Sequence, residues 1–165
     1  MKHEHPINLD AKTVGGILDG DRNRVEVVIT VPWGRKRCLP YEPYYIETDD
    51  KLLYQDEYGD YHPMIDCCKY SIGDILWVRE TWELAQVYWF EGVPEENTYT
   101  GPIPKQKHDG FHVYYRADED FHEVKWRPSV HMPRWASRIT LKITEVWAER
   151  KTGGSWIWVI YFEVM

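Results

Sequence analysis

Two short stretches hold most of the side chains that could do chemistry. Arg79-Glu80-Thr81-Trp82 follows the apolar run Ile75–Val78. An Arg and an aromatic at a strand end can grip a phosphate and stack a base, with the Glu accepting from a base amino group. The same residues also read as an Arg–Glu ion pair beside a core Trp. His131, Arg134, Trp135 and Ser137 lie in a segment punctuated by Pro128 and Pro133, which stiffen it and hold its polar groups ready for a ligand. A lone His is more often a hydrogen-bonded structural residue than a catalyst, so no catalytic residue is assigned. If the chain is an enzyme, Glu80 and His131 are its acid/base pair.

The remaining charged clusters point less sharply. Arg22 and Arg24, just past an early helix, suit either an anionic ligand or a solvated surface, and Arg35-Lys36-Arg37 reads as a solvated loop. Metal ligation is poorly provided for: His3 and His5 sit at a frayed end, and His108 and His112 flank a Gly in a loop. Cys38, Cys67 and Cys68 offer no CxxC spacing, so neither a zinc ribbon nor a disulfide framework is expected. No metal and no cofactor is expected.

The elements that must position these groups are mostly strands. Residues 10–20 form one helix, with Asp10 as N-cap, Val14, Ile17 and Leu18 at helical spacing, and Gly20 as the stop. Gly15 and Gly16 inside it suggest close packing or close approach of a ligand. Strands are expected over Val25–Val31, Tyr44–Thr48, Leu52–Gln55, Ile75–Val78, Leu84–Tyr88, Phe111–Tyr115 and Val124–Trp126. Asp49-Asp50-Lys51 suits a hairpin between the second and third. Ile139, Leu141 and Ile143 alternate with polar residues, and the phase slips at Glu145, as a bulge would produce. Trp156–Val164 is apolar on both faces and reads as a central strand.

Phe90–Gly110, rich in breakers and charge, reads as a long surface loop. Thr152-Gly153-Gly154-Ser155 is either a natural tight turn or a flexible replacement for a longer excursion. The tyrosines between Tyr41 and Tyr70 either close one end of the fold or form a protein interface.

Composition narrows the partners. The 165 residues make one domain's worth of chain, and they combine nine Trp, twelve Tyr and four Phe with a net charge of −7. Long polyanions such as duplex DNA are disfavoured, because that binding runs on surplus Lys and Arg. A single nucleotide in a stacking pocket is not. No apolar run is long enough to span a bilayer and the first residues carry no signal peptide, so an intracellular protein is expected.

Three segments carry a resemblance. They are Pro6-Ile7 with the helix through Ile17-Leu18-Asp19-Gly20, Gly73-Asp74-Ile75-Leu76-Trp77-Val78-Arg79-Glu80-Thr81-Trp82, and Trp126-Arg127-Pro128-Ser129-Val130-His131-Met132-Pro133-Arg134-Trp135-Ala136-Ser137-Arg138-Ile139. In order and spacing they resemble the ASCH domain proteins of the PUA-like superfamily, in the form found in phage and prophage genomes. The resemblance implies one mainly β domain over 1–165, a PUA-like antiparallel barrel with one short N-terminal helix, long loops and a cleft beside the helix. It implies binding of RNA, a nucleotide or a modified nucleoside in the cytoplasm of a bacterial host. The ligand-binding residues would be Arg79, Glu80, Trp82, His131, Arg134, Trp135, Ser137 and Arg22.

Some ASCH proteins are amidohydrolases acting on N4-acetylcytidine through a Lys and a Thr after the first helix and a Glu on a later helical segment. In this chain Arg22 and Val25 stand where the Lys and Thr would be, and the Glu segment would fall between Lys151 and Trp156. Arg does not shed a proton near pH 7 and Val has no hydroxyl, so that activity is not expected. The expected function is non-catalytic binding. Its alternatives are hydrolysis of a modified nucleoside or RNA, and a phage counter-defence role that sequesters a signalling nucleotide or blocks a host protein.

Overall fold

The computed structural model describes residues 3–29, 44–46, 51–55, 60–63, 68–118, 125–152 and 156–165. In chain order the first elements are β1 (Glu4–Asn8), α1 (Ala11–Leu18), β2 (Arg24–Val28), β3 (Tyr44–Ile46), β4 (Lys51–Gln55) and β5 (Tyr61–Pro63). Then come β6 (Ile75–Arg79), β7 (Trp82–Phe90), β8 (Val93–Thr98), β9 (Phe111–Tyr115), two 3₁₀ turns (Ser129–His131 and Arg134–Ala136), β10 (Thr140–Arg150) and β11 (Trp156–Val164). The fold is mainly β, with a single α-helix among the described residues. The chain divides into two compact units, one of Met1–Asn23, Ile75–Lys142 and Val164–Met165, the other of Arg24–Asp74 and Ile143–Glu163.

The first unit begins with β1, which reads from the sequence as a frayed end but pairs with β6 in parallel, Pro6 opposite Trp77 and Asn8 opposite Arg79. This parallel pair departs from the antiparallel pairing expected of the fold, which the other described strand pairs follow. Only Ile7 of β1 is buried, so the strand shows almost no apolar signal. Pro6 is tolerated because β1 lies at a sheet edge, where a missing N–H costs no ladder bond. On the other side of β6, the start of β10 pairs antiparallel, Thr140 opposite Trp77 and Lys142 opposite Ile75.

The helix forms as its sequence dictates. The Asp10 carboxylate accepts from the Thr13 backbone N–H at 2.8 Å, which holds the Asp10 pKa below its ordinary value. Val14 and Ile17 are buried, Leu18 is exposed, and Gly20 takes the positive φ that ends the helix. The Gly16 position packs against Arg22, whose Cβ would lie 3.5 Å from an added methyl, while the Gly15 position faces open space.

A three-stranded sheet in the order β8-β7-β9 completes this unit. Here the expected loop at Phe90–Gly110 is corrected. Val93–Thr98 is a strand, turned back from β7 by Glu91 (φ 50) and Gly92 (φ 83), a two-residue turn with both φ values positive. Every residue of β8 is exposed, so no hydrophobic pattern announces it. Of the strand expected over Val124–Trp126, Val124 lies outside the described residues, Lys125 and Trp126 belong to no element, and the next residue, Arg127, makes an isolated bridge to Trp82. The core of this sheet is Trp82, Leu84, Met132 and Ala136, with Tyr99, Phe111, Tyr115 and Trp135 packed around them.

In the second unit β10, β11 and β2 are hydrogen-bonded in that order. Ile157, Trp158, Val159 and Ile160 are all buried, as a strand covered on both faces requires. Along β10 burial sits on Leu141 and Ile143 and then shifts phase, leaving Glu145, Trp147 and Glu149 exposed, which agrees with the slip read at Glu145. Trp147 stacks on Tyr161 with centroids 4.9 Å apart, and Lys151 pairs with Glu26 at 2.5 Å. β3, β4 and β5 form a separate antiparallel sheet, with Ile46 opposite Lys51 as the hairpin reading requires.

The connecting residues 47–50, the run Arg35-Lys36-Arg37 and Gly153–Ser155 lie outside the described residues. Of the tyrosines, Tyr70 is buried and Tyr61 exposed. Among the described residues no helix is long and apolar enough to cross a membrane.

Candidate functional site

Strand β6 alternates in burial, and the alternation decides which of its groups can meet a ligand. Leu76 and Val78 are buried, so Ile75, Trp77 and Arg79 line the opposite face. Register adds Glu4, Pro6 and Asn8 from β1 and Thr140 and Lys142 from β10 to that face. Two guanidinium carbons approach the half-buried Trp77 ring, Arg79 at 5.5 Å and Arg134 at 5.9 Å.

Arg134 is brought there by the segment after Pro133. Each of Pro128 and Pro133 opens a 3₁₀ turn, with Met132 and Ala136 pointing into the core and Val130, His131 and Arg134 exposed. Arg134 Nε pairs with Glu4 at 3.2 Å and its terminal nitrogen reaches Thr140 at 3.5 Å. Arg79 donates to the Val130 carbonyl at 3.0 Å, while its buried Nε has no partner among the described residues. An unpaired buried guanidinium N–H is costly and is satisfied by any acceptor that reaches it. Two guanidiniums, Arg79 and Arg134, thus meet the single Glu4 carboxylate beside Trp77.

Other expected site residues are placed differently. Glu80 is 1% exposed, and both its oxygens are taken by Arg138, at 2.9 and 3.0 Å. The expected Arg79–Glu80 pairing is thus replaced by a bidentate Glu80–Arg138 pair. Arg138 also donates to Asp118 at 2.6 Å and lies 4.0 Å over the Tyr115 ring. Burial pushes the Glu80 pKa up against the opposing pull of Arg138, and burial likewise pushes Tyr115 up to about 12. Trp82 is fully buried, edge-on to Trp135 at 6.5 Å, so its expected stacking on a ligand gives way to a core role.

Trp135 is half-buried and its indole donates to the Pro104 carbonyl at 2.9 Å. Ser137 donates to Ile139 at 3.2 Å. His131 is exposed, and among the described residues no hydrogen bond joins it to Glu80. Arg22 makes its contacts with α1, at Thr13 and Gly16, and the structure does not bring it to the Trp77 group.

The structure therefore brings Arg79 and Arg134 together and adds Trp77, which sequence reasoning missed. The signal was present. Period two along Ile75–Arg79 puts Trp77 beside Arg79, but a run of apolar residues reads as buried on both sides. The arrangement can bind an anion through two guanidiniums and offer an indole edge or face to a ring. No group of three or more His, Cys, Asp or Glu side chains among the described residues could hold a metal ion. In comparisons with known proteins, no family model, no curated protein and no solved structure matches this chain.

Proposed function

We propose that the chain is an ASCH-type, PUA-like binding module that holds a nucleotide, or a modified nucleoside or short RNA end carrying a phosphate, on the face around Trp77. The observation that carries this reading is the approach of two guanidiniums, Arg79 and Arg134, to one half-buried indole. Guanidiniums fork onto phosphate oxygens, and an indole supplies a stacking surface that tolerates any base. The motif Trp126–Ile139 that resembles the phage ASCH proteins also delivers Arg134. Binding without catalysis is favoured because Glu80, the acid of the alternative hydrolase reading, is engaged by Arg138.

A thermal-shift series with nucleosides, mononucleotides and cyclic dinucleotides tests the proposal. Nucleotides at about a hundred times their Kd raise stability by about 2.7 kcal/mol, and the matching free nucleosides raise it less. Arg134→Gln weakens the binding about tenfold without changing the fold, as loss of one charge-assisted contact requires. A preference for cyclic dinucleotides would select the signalling-nucleotide role. No shift with any phosphate-bearing ligand sinks the proposal, and measurable turnover of N4-acetylcytidine overturns its non-catalytic part.

A further inference from the structure

The β7–β8 hairpin outruns the sheet that anchors it. β9 pairs with β7 as far as Gln86 and Val87 still donates to the Gly110 carbonyl at 2.9 Å, whereas β8 follows β7 to Phe90, so from Tyr88 onward the pair is a two-stranded finger. Its tip is apolar and exposed: Trp89 is 73% exposed, Val93 59%, Phe90 56% and Tyr88 37%. Register puts Phe90–Val93 beside Tyr88–Glu95 on one side and Trp89–Pro94 on the other. The finger is braced, since Tyr88 donates to Glu95 at 2.7 Å and accepts from Asn97 at 3.1 Å. Rigid aromatics lose little entropy on docking, which is why such side chains anchor interfaces.

Charge selects the occupant. Between Tyr88 and Thr98 the hairpin holds Glu91, Glu95 and Glu96 and not one Lys or Arg. Nucleic acid would be repelled by these carboxylates. A bilayer would have to desolvate Glu91 at the apex, with no basic residue to meet a headgroup. A second copy would set like charges against each other, and Pro94 with Glu95 and Glu96 blunts edge-to-edge pairing. We propose that the finger docks on a protein surface with an apolar slot bordered by Lys or Arg, its carboxylates pairing at the rim and Trp89 and Phe90 filling the slot.

The test uses the full chain and two synthetic helical peptides with the same Leu face, one with Lys and Arg on its polar face and one with Glu. Amide shifts recorded on the protein should move for residues 88–95 with the basic peptide alone. Raising salt should weaken that binding. Trp89→Ser and Phe90→Ser should each weaken it at least tenfold, and Glu91→Lys with Glu95→Lys should abolish it. Equal binding of the acidic peptide, shifts confined to other residues, or unchanged affinity in both Ser variants would overturn the proposal. So would self-association or binding to phosphatidylcholine vesicles that disappears in Trp89→Ser.

Discussion

Strand β7 begins in the interior and ends in solvent, and its two ends use the same residue types for opposite purposes. At the base, Trp82 and Leu84 are fully enclosed and Glu83 is buried, its carboxylate accepting from the Thr98 hydroxyl. At the tip, Tyr88, Trp89 and Phe90 are exposed in succession. The base is covered because the segment after Pro128 lays Met132 and Ala136 against it, and Arg127 exchanges two backbone hydrogen bonds with Trp82. The tip runs past both that segment and β9. An aromatic is therefore core or surface according to what crosses over it, which is a property of distant chain.

The contrast can be tested from its strongest element down. Trp82→Ala should cost about 4 kcal/mol in denaturant unfolding, the usual price of emptying a buried aromatic site. A loss under 1 kcal/mol would mean that the base is not the core. Arg138→Met should cost about 3 kcal/mol at neutral pH, because it strands the Glu80 carboxylate in the interior. The folded Glu80 already has a raised pKa, so its protonated form is the better tolerated one and its contribution falls as pH rises through the folded value. The Arg138→Met deficit should accordingly shrink on acidification, and Glu80→Leu in the same chain should recover part of it. A deficit independent of pH would disconnect the two residues.

Glu96, on the open part of the same sheet, behaves in the opposite sense. It accepts from Tyr114 and contacts His112 at 3.1 Å, and these contacts hold its pKa below the ordinary 4.5. Its contribution is complete above about pH 4.5 and is lost as pH falls through the lower folded value. Glu96→Gln should flatten that acid limb with a cost below about 1 kcal/mol at pH 7. An unchanged acid limb would show that the contact does not survive in solution. The smallest effect belongs to Trp89→Ala, which should move stability by no more than about 0.5 kcal/mol despite removing the same side chain as Trp82→Ala. A larger loss would show that the tip is covered.

What could be read from the sequence follows from the same contrast. Asp10 and Gly20 bracket the helix by local rules, and Ile157–Ile160 announces a doubly covered strand by composition alone. β1 and β8 escaped because edge strands bury little: one side chain in β1, none in β8. Glu91-Gly92 was the available sign of a hairpin, hidden by the charges that follow it. For the site, Arg79 and Arg134 were legible as cations in stiffened segments. Their meeting at Trp77 required the parallel register of β1 on β6 and the path of the 3₁₀ turns, neither of which has a local signature. Glu80, just past the end of β6, is buried and meets Arg138, whereas its neighbour Arg79 is only half-buried and reaches Val130.

The parallel pairing of β1 also dictates an order of events. Glu4 waits for Ile75, a partner roughly seventy residues further along the chain. As the chain emerges during synthesis, the segment bearing Glu4 lacks its β6 partner until β6 has left the ribosome, so β1 stays unseated while β2 to β5 are made. Wherever β1 is unseated, β6 presents an unpaired edge and Arg134 lacks its Glu4 counter-ion, and a peptide spanning His3–Leu9 supplied in trans would compete for that place.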